Sequence, residues 1–235
     1  MKQEFSEYKD EDFLVWKTLF ERQQVNLSDK ACSEYLVALE NMSEALNANS
    51  IPKFTELNKW FQSTTGWEIV RVPGLIPVDE FFEFLAQKKF CSSTWLRTME
   101  QLDYLEEPDM FHDIFGHTPL LSNKVFSDFA HEFGKLGKSF IGNEEKLIML
   151  QRLYWFTIEF GLIEQDGLKI YGAGIASSFG ESITSLQDGT QKIVFDVDTI
   201  IHKVFKNDEV QSDYFVIDSF EQLFDSVLQL TKNWK

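Results

Sequence analysis

Four histidines occur in the chain. Two of them, His112 and His117, share one short stretch, Glu107-Pro108-Asp109-Met110-Phe111-His112-Asp113-Ile114-Phe115-Gly116-His117-Thr118-Pro119. Neutral imidazole is a common ligand for transition metals. On an unbroken α-helix a five-residue step turns the side chain by about 140°, off the common face. Gly116 lets the chain leave the helix before His117, and Pro119 prevents continuation. A helix end is therefore expected to aim both rings at one point. Glu159, in Leu153-Tyr154-Trp155-Phe156-Thr157-Ile158-Glu159-Phe160-Gly161, offers a third ligand. A carboxylate among such apolar neighbours is costly unless it is paired or bound to a metal. Two His and one carboxylate form the facial triad of non-haem iron oxygenases, which leaves positions open for oxygen and substrate. Zinc competes for the same donors. Zinc peptidases, however, use His-Glu-x-x-His, one residue shorter, with a Glu where this chain has Asp113. The His112-Asp113 pair also raises an HD-type metal phosphohydrolase, but no His precedes His112 to complete such a site. His131 and His202 are read as structural.

The elements that must position these groups are mostly helical. Asp12 to Gln24 carries Phe13, Val15, Trp16, Leu19 and Phe20 at helical spacing. Ser28 is expected to N-cap a second helix through Leu46, with Leu36, Leu39 and Met42 inward. Phe54 to Gln62 and Val78 to Lys88 read as helices. Glu144 to Phe160 reads as the longest one, stopped by Gly161 at C′. Ser219-Phe220-Glu221-Gln222 matches a capping box for a last helix ending near Lys232. Strand signals are short: Trp67–Val72, closed by Pro73-Gly74, then Leu168–Tyr171 and Lys192–Asp196. No repeated βαβ alternation, internal repeat or linker appears, so a doubly wound sheet is not expected. The expected fold is mainly α (α+β), one domain over residues 1–235, with a few short strands.

Composition narrows the function classes. With 38 acidic against 22 basic residues, the net charge is −16. That works against nucleic acid and anionic membrane surfaces as partners. Two cysteines, Cys32 and Cys91, exclude a disulfide framework and a Cys-rich zinc site. No signal-peptide pattern and no apolar run of about 18 residues is present, so a cytoplasmic location is expected.

Taken together, these segments resemble the pterin-dependent aromatic amino acid hydroxylases, most closely the bacterial phenylalanine 4-hydroxylases. The resemblance rests on Glu107-to-Leu120, Tyr154-to-Leu162, and Tyr171-Gly172-Ala173-Gly174-Ile175-Ala176-Ser177-Ser178-Phe179-Gly180-Glu181. Upstream, Thr65-Gly66-Trp67 and Val72-to-Pro77 look like the family's pterin-side loop. The resemblance implies a helical basket around a central iron cleft. It implies Fe(II) held by His112, His117 and Glu159, with tetrahydrobiopterin or a related tetrahydropterin as cofactor and O2 as co-substrate. It also implies Arg97 on the substrate carboxylate, oriented by Asp109. Pro108, Trp155 and Phe160 match walls around the substrate ring, while Gly174 and Ser177 match positions beside the amino-acid backbone. Ser177 is also expected to support His112. On the pterin side, Gly74, Leu75, Ile76 and Val78 match backbone contacts and Phe81 a stacking aromatic. Asp113 and Tyr154 match groups near cofactor and iron.

The implied reaction converts L-phenylalanine to L-tyrosine. Val216, in Tyr214-Phe215-Val216-Ile217-Asp218, lies where tyrosine-preferring members carry an acidic residue, and valine suits an unhydroxylated ring. Tryptophan 5-hydroxylation is the runner-up. Leu105, Glu106 and Cys91 depart from the family pattern. A regulatory module and a long C-terminal heptad helix are not expected, so a monomer or small dimer is. A functional link to pterin-recycling enzymes is implied.

Overall fold

The structure is a computed structural model that describes residues 2–103, 105, 107–206 and 210–234. After a 3-10 turn at Phe5–Glu7, the first α-helix, α1 (Asp10–Leu27), buries Val15, Trp16, Leu19 and Phe20. Ser28 closes α1 at its C-terminus; it does not cap the next helix, as the sequence reading expected. Residues 29–32 instead run beside a strand, where the Cys32 N–H donates to the Ile170 carbonyl at 2.9 Å. Helix α2 (Ser33–Asn41) therefore begins four residues late and is shorter than expected. Helix α3 (Phe54–Thr64) leads into strand β1 (Glu68–Arg71). Helix α4 (Val78–Leu85) then stops short of Lys88, whose φ of 56° reverses the chain into β2 (Lys89–Ser92). Strands β1 and β2 form a parallel pair, with Ile69 opposite Phe90.

A π-helical turn, His112–His117, continues directly into α5 (Thr118–Leu121). Helix α6 (Lys124–Ser139) follows, capped by the Asn123 side chain. The sequence reading missed α6. Its Gly134 and Gly137 weaken a helix signal, and the reason for them is packing. A Cβ at Gly134 would stand 2.5 Å from the Leu85 and Ala86 backbone, and one at Gly137 would stand 2.1 Å from the Phe82 ring. Both glycines let α6 lie close against α4.

Helix α7 (Glu144–Tyr154) runs into a second π-helical turn, Trp155–Glu159, so the expected single helix to Phe160 has two geometries. Gly161 is not a left-handed C′ residue, because positive φ among the glycines occurs at Gly66, Gly142 and Gly167. It is glycine because a Cβ would meet the Tyr171 ring at 2.0 Å. Next come β3 (Leu162–Glu164), β4 (Leu168–Ile170), α8 (Ala173–Ser177), α9 (Phe179–Thr184), β5 (Gln191–Val194), α10 (Val197–His202), β6 (Asp213–Ile217) and α11 (Phe220–Asn233). The sheet order is β4-β3-β6-β5, with β3 and β4 antiparallel and β6 parallel to both β3 and β5. At α11 the expected capping box does not form. Ser219 makes no side-chain cap, and Gln222 Oε1 accepts from the Asp218 N–H at 3.0 Å.

The elements are mainly helices with a few short strands, as expected. One hydrophobic cluster runs from Val15 in α1 to Leu230 in α11. The two π turns lie inside it. Gly134→Ala should lower stability by about 1–3 kcal/mol, an overpacking cost, and thermal melting should show it as a drop of several degrees. Gly180→Ala, where an added Cβ meets nothing within 4 Å, should leave the melting temperature unchanged or slightly raised.

Candidate metal and substrate site

The five-residue spacing of His112 and His117 is resolved by the first π turn and not by a helix end. In this geometry the repeat is i→i+5, so residues five apart share a face. Gly116 stays inside the turn. Its lack of a side chain admits α8, since a Cβ there would lie 2.7 Å from the Ala173 carbonyl oxygen. The second π turn closes on the Phe160 N–H, which donates to the Trp155 carbonyl at 2.9 Å. It carries Glu159 to the same point. His117 Nε2 lies 3.1 Å from His112 Nε2 and 3.1 Å from Glu159 Oε1, and His112 Nε2 lies 3.6 Å from Glu159 Oε2. Among the described residues these three form the one group of His, Cys, Asp and Glu donors that could hold a metal ion.

The donor chemistry fits a divalent cation. His112 Nδ1 and Ser177 Oγ are 2.9 Å apart, and the Ser177 hydroxyl reaches the Gly174 carbonyl at 3.4 Å. Ser177 therefore accepts from Nδ1–H, which turns the lone pair of Nε2 toward His117 and Glu159. Burial pulls His112 down to about 4, against the opposing pull of Glu159, so its ring is neutral. Burial pushes the Glu159 carboxyl up, but the His117 and His112 imidazoles and the Tyr154 hydroxyl outweigh it and leave Glu159 at about 2. Two imidazoles and a carboxylate, converging in an apolar shell, are the donor set that iron or zinc takes.

Contacts tie several of the other expected residues to this point, in two groups. Arg97 Nε and Nη2 each donate to an oxygen of Asp109 at 2.9 Å, a bidentate pair with both side chains buried. Asp109 Oδ1 also accepts from the His112 N–H at 3.1 Å, so the pair is built onto the start of the metal-side turn. Arg97 Nη1 makes one long contact, 3.5 Å to the Leu102 carbonyl, and this edge can take a second carboxylate. Trp155 and Phe160 face each other with ring centroids 4.7 Å apart. Gly174 lies against both Phe160 and Glu159, and a Cβ there would come within 3.1 Å of either. Pro108 immediately precedes Asp109. Val216 lies opposite Leu162, two residues after Phe160.

On the other side, Phe81 meets Tyr154 edge-on at 5.2 Å, and Tyr154 stacks near His117 at 6.2 Å. Val78 opens α4, which carries Phe81. Gly74 and Ile76 are half-buried and Leu75 is exposed, in the loop between β1 and α4. Asp113 stands outside the converging donors. Its Oδ2 accepts from the Ser93 N–H at 2.8 Å, and burial drives its carboxyl well above the usual range. This arrangement does not support the phosphohydrolase alternative, which needs Asp113 as a ligand. Burial pushes the Cys91 thiol up to about 12, so it is no thiolate ligand. Glu106 lies outside the described residues.

Sequence reasoning missed the groups that hold these walls. Gln211 Oε1 accepts from Trp155 Nε1–H at 3.1 Å, and Phe205 stacks on Trp155 at 4.4 Å. Neither stands in a recognisable motif, and both reach the site only through the return of the chain into β6.

Titration of the purified chain with Co(II) or Fe(II) should reveal one site. Ser177→Ala should weaken it about 10- to 100-fold, the usual cost of removing a ligand's supporting hydrogen bond. Equal affinity in the variant and the wild type would remove Ser177 from the site.

Comparison with known proteins gives the same picture. Residues 3–235 match the family described as biopterin-dependent aromatic amino acid hydroxylase. A phenylalanine-4-hydroxylase of Ralstonia nicotianae is 47% identical over 228 residues, covering 96% of this chain and 72% of the relative. The crystal structure of phenylalanine hydroxylase from Chromobacterium violaceum bound to cobalt superposes with a TM-score of 0.92 at 46% identity, covering 98% of this chain and 86% of that one. A structure of the same enzyme with bound iron(III) and 7,8-dihydrobiopterin gives a TM-score of 0.92, covering 99% of this chain and 86% of that one. With the family matched over nearly the whole chain and the same architecture in solved relatives, this chain belongs to the biopterin-dependent aromatic amino acid hydroxylases.

Proposed function

We propose that this chain is a phenylalanine 4-monooxygenase, converting L-phenylalanine to L-tyrosine with O2, non-haem Fe(II) and a tetrahydropterin such as tetrahydrobiopterin. The observation that carries the reading is the convergence of His112, His117 and Glu159 beside the Arg97–Asp109 pair and the Trp155–Phe160 wall. His112, His117 and Glu159 hold the iron; bound together, iron and pterin supply the activation of O2. The chain's own part is to bind, orient and exclude water. Arg97 takes the amino-acid carboxylate on its Nη1 side while Asp109 fixes the guanidinium plane. Pro108, Trp155 and Phe160 hold the ring, and Gly174 and Ser177 line the amino-acid backbone. Gly74, Leu75, Ile76, Val78 and Phe81 would take the pterin, with Asp113 and Tyr154 near the cofactor and the iron.

Val216 gives the substrate wall an apolar group, which favours an unhydroxylated ring because no polar partner is left unmatched. Residues 1–235 act as one catalytic domain. We assign it to the cytoplasm, as a monomer or small dimer dependent on enzymes that re-reduce the pterin. In support, no helix among the described residues is long and apolar enough to cross a membrane.

The test is a product assay on Fe(II)-loaded protein with tetrahydropterin, air and either L-phenylalanine or L-tryptophan. Tyrosine from the wild type and none from His112→Ala or Glu159→Ala is the expected result. Mainly 5-hydroxytryptophan would transfer the reading to a tryptophan 5-hydroxylase. Arg97→Leu should raise KM for the amino acid about 10- to 100-fold, the loss of a charged hydrogen-bonded contact, with KM for the pterin little changed.

A further inference from the structure

A buried polar cluster stands behind the substrate wall. Glu181, at the start of α9, is 8% exposed and sits among apolar groups. Its Oε1 accepts from the Tyr214 hydroxyl in a short hydrogen bond and from the Gln211 N–H at 3.3 Å. Tyr214 is fully buried on β6, two residues before Val216 and on the same strand face. Gln211 is 9% exposed. Its Nε2 donates to the Lys206 carbonyl at 2.9 Å, and its Oε1 accepts from the Trp155 indole N–H at 3.1 Å. One carboxylate thus joins α9, which follows Gly174 and Ser177, to the strand that carries Val216 and to the backbone N–H of Gln211, whose side chain grips Trp155.

A buried carboxylate is retained at a cost, and its two hydrogen-bonded links, to the Tyr214 hydroxyl and the Gln211 N–H, are a specific return for it. Among the described residues the Trp155 ring is otherwise held by ring contacts, with Phe205 at 4.4 Å and Phe160 at 4.7 Å, and such contacts let a ring slide and tilt. The indole N–H bond removes that freedom. We propose that Glu181, Tyr214 and Gln211 form a positioning device that fixes the Trp155 indole and so sets the affinity and ring selectivity of the amino-acid cleft. The inference rests on the reading of Trp155 as a substrate wall.

The test uses Gln211→Met, which keeps the chain length and removes the acceptor, in the wild-type and Trp155→Phe backgrounds. Gln211→Met should raise KM for L-phenylalanine about fivefold, the weight of one ordinary hydrogen bond. It should shift the phenylalanine-to-tryptophan ratio of kcat/KM and leave KM for the tetrahydropterin unchanged. In the Trp155→Phe background the same substitution should change KM less than twofold. The Glu181→Gln variant keeps an acceptor and should stay near wild type, whereas Glu181→Leu should follow Gln211→Met. Near-ultraviolet circular dichroism reads the indole without turnover: Gln211→Met should alter the tryptophan band, and not in the Trp155→Phe background. An unchanged KM and band in Gln211→Met, or equal effects in both backgrounds, would overturn the proposal. A wild type that hydroxylates neither amino acid would overturn the functional reading instead, and the dichroism comparison would still decide whether the cluster orients Trp155.

Discussion

Three nitrogen and oxygen donors must meet inside an aromatic core, and the rest of the fold answers to that requirement. An unpaired carboxylate and two imidazoles in such surroundings are unfavourable by several kcal/mol unless they share a cation or well-made hydrogen bonds. Straight α-helices do not bring them together at these spacings. The two π turns do, and they carry their own cost in widened backbone. That cost is offset locally. The Tyr35 hydroxyl donates to the Phe115 carbonyl at 2.6 Å, the Thr118 hydroxyl donates to the Ile114 carbonyl at 2.6 Å, and the Thr157 hydroxyl donates to the Leu153 carbonyl.

The aromatic content follows from the same requirement. Phe111 and Phe115 stack at 4.8 Å on the back of the first turn, and Trp16 and Phe20 of α1 meet them edge-on at 5.6 and 5.1 Å. These rings leave the turn little room to relax, and they keep the metal side dry. On the front, Phe90 lies 4.9 Å from the His117 ring and Phe133 lies 6.1 Å from Tyr154. A rigid apolar shell strengthens every electrostatic contact inside it. In that shell the Ser177 link orients the His112 ring, and the imidazoles and the Tyr154 hydroxyl favour the charged Glu159 carboxylate.

Chain order and space divide the work. The β1–β2 pair and α4 form one flank, which bears Phe81 and the preceding loop. Helices α8 and α9 and strand β6 form the other, which bears Ser177, Gly174 and Val216. The π turns lie between them and belong to both. Arg97 and Asp109 are joined to the centre through the His112 backbone N–H, so the carboxylate grip and the metal ligands are fixed in one frame.

Much of the chemistry was legible in residue types and order. The His pair and the embedded Glu159 point to the donor set, and the three long motifs point to the family. The α1 stripe, α3, α4 and the last helix were visible in apolar spacing. Other features were decided only by tertiary contacts. Gly116 and Gly161 look like helix terminators, yet each is set by a neighbour that approaches too closely for a Cβ. Ser28 has the chemistry of an N-cap, but the chain after it pairs with Ile170 and the next helix starts later. Helix α6 hides behind two glycines whose purpose is α4. Gln211 carries no motif at all and matters because β6 returns past Trp155. Local pattern determines which residues are able to ligate, cap or turn. Close approach between distant segments determines which of them do, because van der Waals exclusion and hydrogen-bond pairing act across the fold and leave no periodicity in the sequence.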